Sequence, residues 1–69
     1  MEAKEIFDLI VKADEKLKYA TDANQATRET QARELLSKAL AAAREIENPA
    51  LIAQAEQRLT DLGGSPLAG

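Results

Sequence analysis

The chain contains no cysteine, no histidine and no tryptophan. Without cysteine, neither a disulfide nor a thiolate metal site can hold the fold together. Without histidine, it lacks the commonest general base and metal ligand, and no serine–histidine triad can form. Ser37, Ser65 and the threonines have no activating partner by type or spacing. Aromatic residues are limited to Phe7 and Tyr19, so any core must be built from leucine, isoleucine, valine and many alanines. No run of lysines and arginines occurs, which argues against nucleic acid and against an anionic membrane surface as partners. No stretch approaches the roughly 20 apolar residues of a membrane span, and the start, Met1-Glu2-Ala3-Lys4-Glu5, is too charged for a signal peptide. A cytoplasmic protein is the expectation. The Gly63-Gly64 pair follows a helical pattern instead of preceding one, so it does not read as a phosphate loop.

What is present is helix-forming. The chain has 69 residues, a net charge of −3 and no proline or glycine before Pro49. Alanine, leucine, glutamate, lysine and glutamine dominate, and all favour helix. A first helix is expected from Ala3 to Ala20, where Ile6, Ile10, Ala13, Leu17 and Ala20 recur with alternating spacings of four and three on one stripe. Phe7 and Val11 form a second apolar patch about 100° round that helix. A break follows near Thr21 to Asn24, where Asp22 or Asn24 can cap the next helix and Asp22 and Gln25 are spaced as a capping box. Because no glycine or proline forbids it, a continuous helix through this point is also open. A second helix is expected from Ala23 to Glu47, with Ala32, Leu36, Ala39, Ala43 and Ile46 on its stripe and Leu35 and Leu40 beside it. Its first two turns are polar and should pack weakly. Asn48-Pro49 then combines a preferred N-cap with a proline suited to the first helical position, opening a third helix to Leu62. Residues 1–62 read as one helical domain and 63–69 as a flexible tail. The architecture expected is all-α, an antiparallel up-down-up bundle of three helices. At this size folding buries only about 60% of the chain's surface, so stability should be modest or supported by self-association.

One stretch is repeated. Leu9-Ile10-Val11-Lys12-Ala13-Asp14-Glu15-Lys16-Leu17 aligns without gaps on Leu51-Ile52-Ala53-Gln54-Ala55-Glu56-Gln57-Arg58-Leu59, at an offset of 42 residues and with four identities. A fixed offset of this length is what a helix-pair repeat produces. The pattern Ala32-x-x-x-Leu36-x-x-Ala39-Leu40, with the junction from Leu35-Leu36 to Asn48-Pro49-Ala50-Leu51-Ile52, resembles the second helix and inter-repeat junction of tetratricopeptide repeats. The likeness covers about half the chain. It departs from the family in having no tryptophan, glycine or tyrosine at the usual first-helix positions. Arg44 stands where a proline often ends the unit, and the Thr21–Gln31 region is about seven residues longer than usual. The microtubule-interacting-and-transport domain is a weaker match. The tetratricopeptide resemblance implies a helix pair with a capping helix, acting as a scaffold for peptides or protein helices. None of that family's ligand-contacting residues can be carried over.

The function expected is therefore a non-enzymatic protein–protein interaction module without cofactor or metal. Its candidate contact residues are Phe7, Val11, Leu40 and Tyr19, where a partner protein or peptide would dock. The alternative is a self-associating structural protein, with Phe7, Val11 and Leu40 buried in a symmetric dimer or helices exchanged at the Thr21–Asn24 break. Phe7 and Val11 have a third use open to them, packing the first helix against the third. The carboxylates Glu5, Asp8 and Glu15 are interleaved with Lys12 and Lys16, which reads as a solvated face with pairs such as Asp8–Lys12 and not as a cation site.

Overall fold

The computed structural model describes residues 1–63. They form three helices: α1 (Ala3–Lys18), α2 (Gln25–Glu45) and α3 (Pro49–Gly63). The chain is thus an all-α, three-helix bundle, and short connections make successive helices alternate in direction. Gly63 closes α3 and does not open the tail; the remainder of the expected tail, 64–69, lies outside the described residues.

The helix ends follow from local hydrogen bonding. At the start of α1, the Glu5 carboxylate accepts from the Glu2 backbone N–H at 2.8 Å. Helix α1 ends two residues short of the expected Ala20 because the Ala20 N–H turns to the Leu17 carbonyl, a tighter i→i−3 bond. The Thr21–Asn24 turn is then closed twice: the Thr21 N–H donates to the Asn24 side chain at 2.6 Å, and the Asn24 N–H donates to the Thr21 carbonyl at 3.1 Å. So α1 and α2 are separate helices. Asp22 does not cap α2; the N-cap is Asn24, whose side chain is used within the turn and caps no helical N–H.

The α2–α3 junction behaves as its sequence says. Asn48 Oδ1 accepts from the Leu51 N–H at 3.2 Å, and Pro49 opens α3. The end of α2 is a Schellman motif, with the Asn48 N–H on the Ala43 carbonyl and the Glu47 N–H on the Arg44 carbonyl. That motif places Glu47 in the left-handed region, at φ 54°. Glycine is the residue that enters this region without a Cβ penalty, so Glu47 holds local strain.

The core is centred on α2. It comprises Ile6, Ile10 and Ala13 from α1, Ala32, Leu36, Ala39, Ala42 and Ala43 from α2, and Leu51 and Ala55 from α3. Six of these ten residues are alanine. Small side chains let helix axes approach toward the lower end of the usual 8–10 Å range. The large side chains removed fully from water are Ile6, Ile10 and Leu36. Each contributes roughly 1.5–3 kcal/mol of burial, so stability depends heavily on a few residues. No residue of α2 before Ala32 is buried.

The helices fan out. A tight triangle of axes would measure about 13–15 Å in both short directions, whereas the observed extents are 36 × 25 × 13 Å. Helices α1 and α3 both pack extensively on α2 and touch each other only slightly. Where they do meet, Arg58 Nε donates to both oxygens of Asp14, at 3.0 and 3.1 Å. Its Nη1 donates to the Gln54 carbonyl at 3.3 Å. Arg44 and Glu56 join α2 to α3 at 3.2 Å.

Candidate functional site

The repeated nine-residue stretch is what orients the surfaces. Its alanine and last leucine positions do the same job twice, while the first two positions exchange burial, Leu9 being half-buried where Leu51 is buried. Ala13 and Ala55 are both fully buried against α2, Ile10 is fully buried and Ile52 half-buried, and Leu17 and Leu59 are both half-buried against the core. The two copies therefore hold α2 from two sides. This leaves α1 with two outer flanks, one toward α3 and one away from it.

Phe7 lies on the first flank. It precedes Asp14 by seven residues, which is two helical turns on the same side, and Asp14 is the residue that reaches α3. Phe7 is nevertheless 47% exposed, so nearly half of it stays in water. Val11, one turn further on, is half-buried and lies outside the set of side chains packed on the core. Leu40 is half-buried and packs against that core. Tyr19 is 62% exposed, with the Lys18 ammonium 5.5 Å from its ring centroid. It is about 18 Å along the axis from Phe7 and about 120° round the helix. The structure thus groups Phe7 with Val11, places Leu40 against the core and sets Tyr19 apart.

The second flank, between α1 and α2 on the side away from α3, carries a shallow groove of three connected depressions. One, of about 240 Å³, is bordered by Met1, Glu5, Asp8, Leu9 and Lys12. The next, of about 450 Å³, is bordered by Lys12, Glu15, Lys16, Tyr19 and Arg28. The third, of about 340 Å³, continues from Lys16 along α2 past Gln31, Glu34, Leu35 and Lys38. The expected Asp8–Lys12 ion pair does not form: among the described residues the ion pairs are Arg44–Glu56 and Arg58–Asp14. Sequence reading passed over this groove. Its signal was the charge order on one side of α1, with Glu5 and Asp8 toward the start and Lys12 and Lys16 beyond them, Glu15 standing among the bases.

Among the described residues no group of three or more acidic side chains converges as a metal site would require. None of their helices is long and apolar enough to cross a membrane. No protein-family model matches the chain, and comparison with curated proteins and with solved structures returned no match.

Proposed function

We propose that this chain is a small, non-enzymatic protein–protein interaction module of the cytoplasm, built as a tetratricopeptide-like helix pair with a capping helix. The observation that carries this reading is Phe7: a large aromatic side chain on the α3-facing flank of α1, half in water beside Val11. An aromatic anchor of this kind, once desolvated by a partner, supplies much of an interface's energy. The partner in this reading is an amphipathic helix of another protein. It lies along α1 with its apolar side on Phe7 and Val11, and Lys4 and Lys18 near the patch favour an acidic rim on it. Leu40 packs against the core and does not contact the partner in this reading.

Replacing both Phe7 and Val11 with serine tests this. A partner identified by affinity capture from the native source and then purified should bind the wild-type chain in a two-component titration. Its affinity should fall at least tenfold for the double variant, a loss of about 1.4 kcal/mol or more, while the helical circular dichroism signal is kept. Loss of helical signal would place both residues in the core and contradict the reading, as would unchanged affinity.

A further inference from the structure

The groove on the other flank carries an independent inference. Its charges are sorted along α1. The depression nearest the helix start holds Glu5 and Asp8, with Lys12 at its far edge. The two beyond it hold Lys12, Lys16, Arg28 and Lys38 against Glu15 and Glu34. None of these side chains takes part in an ion pair among the described residues. The face is therefore bipolar, acidic at one end and basic at the other, in a chain whose net charge is −3.

A bipolar strip of this kind is complementary to itself turned round. In an antiparallel pair of helices related by a two-fold axis, each residue faces one placed symmetrically about the axis. Glu5 and Lys16 are symmetric about the midpoint of Ile10 and Val11, and Asp8 and Lys12, like Met1 and Tyr19, are symmetric about Ile10, a centre only about 0.75 Å away along the axis. One register thus sets both acids of one copy opposite bases of the other. The same register lays Met1, itself exposed, against the exposed Tyr19 ring. Lys12 is exposed and Lys16 half-buried on α1, so both ammonium groups can reach across. Glu15, the acid among these bases, borders the central depression two turns from Asp8 on the same side of α1, about 100° round the helix from Lys16.

We infer that the α1–α2 face opposite α3 is a self-association surface whose occupant is the same face of a second copy, antiparallel and held by the Glu5–Lys16 and Asp8–Lys12 charge pairs. An acidic partner protein fits less well, because Glu5 and Asp8 would then face like charge. Exposed charge pairs are individually weak and screened by salt. The dimer should therefore be modest in affinity and strongly dependent on ionic strength. It uses neither Phe7 nor Val11, so it is independent of the partner surface proposed above.

The test is the solution mass of the full chain by sedimentation, together with two charge-reversal variants. One is Glu5→Lys with Asp8→Lys; the other is Lys12→Glu with Lys16→Glu. The wild-type chain should dimerise at low salt and dissociate at about 1 M salt, where the screening length is about 3 Å. Each variant alone should stay monomeric at low salt, and an equimolar mixture of the two should form a heterodimer. Circular dichroism should show all three chains helical. Should a reversal variant lose its helices, the neutral pair Lys12→Gln with Lys16→Gln replaces it, and at least a tenfold weaker dimer is expected. The Phe7→Ser, Val11→Ser variant should dimerise like the wild type. A wild-type chain that is monomeric at low salt across a hundredfold range of concentration would overturn the inference. So would variants that dimerise alone, or a mixture that stays monomeric.

Discussion

Helices α1 and α3 carry the same nine-residue stretch and use it differently at its edges. In both, the leucines, isoleucine and central alanine face α2. In α3 the charged positions are satisfied inside the molecule, Glu56 by Arg44 and Arg58 by Asp14. In α1 the position aligned with Arg58 is Lys16, which has no ion-pair partner among the described residues and borders the open groove. On the other edge, Val11 and Phe7 of α1 stand where α3 has Ala53 and Pro49, so α1 alone presents a large apolar side chain there. A duplicated packing face thus builds the core, while divergence at its margins decides which copy closes the structure and which faces outward.

The comparison can be broken first at the isoleucines. Ile10 is fully buried and its counterpart Ile52 half-buried. Ile10→Ala should cost about 2–4 kcal/mol in urea unfolding and Ile52→Ala about half of that. Equal costs would mean that the two isoleucines are enclosed alike. Next come the alanines, both fully buried. Ala13→Leu and Ala55→Leu should each destabilise by about 1–3 kcal/mol through overpacking, and a clear inequality would show that one helix can shift to accommodate the larger side chain.

The junction between α2 and α3 supplies the third contrast. Asn48→Ala should cost about 1 kcal/mol because it removes a cap from the Leu51 N–H. Glu47→Gly should raise the melting temperature, with a gain of about 0.5–1 kcal/mol from relief of the left-handed backbone. The smallest effect belongs to the aligned cations. Arg58→Ala should cost less than about 1 kcal/mol, since its pair with Asp14 is partly exposed and screened, and Lys16→Ala should leave the stability of the monomer within about 0.5 kcal/mol.

Much of this was legible in the residues. The 4-3-4-3 stripes named seven of the ten core residues, Ile6, Ile10 and Ala13, then Ala32, Leu36, Ala39 and Ala43, and the repeated stretch held two more, Leu51 and Ala55. Asn48-Pro49 marked its junction because both residues act locally. The break at Thr21–Asn24 was legible but its cap was not, because Asp22 and Asn24 are both good caps. Which one is used depends on how the chain closes the turn, and Asn24 spends its side chain on Thr21. The pairing of Asp14 with Arg58 joins residues from different helices, so it depends on how α1 and α3 are placed around α2, which no single-helix periodicity contains. For the same reason Leu40 could not be assigned between core and surface, nor Phe7 between packing and exposure, until the fan of the helices was known.

The most direct measurement of the central claim, that one motif grips α2 from two sides, is native-state hydrogen exchange at residue resolution on the monomeric chain in high salt. The slowest amides should lie in α2 between Leu36 and Ala43, where both copies pack, with the middle of α1 and then α3 exchanging faster. If α3 were instead the slowest to exchange, or if α2 exchanged no more slowly than the helix ends, the core would not be centred on α2 and the account would be wrong.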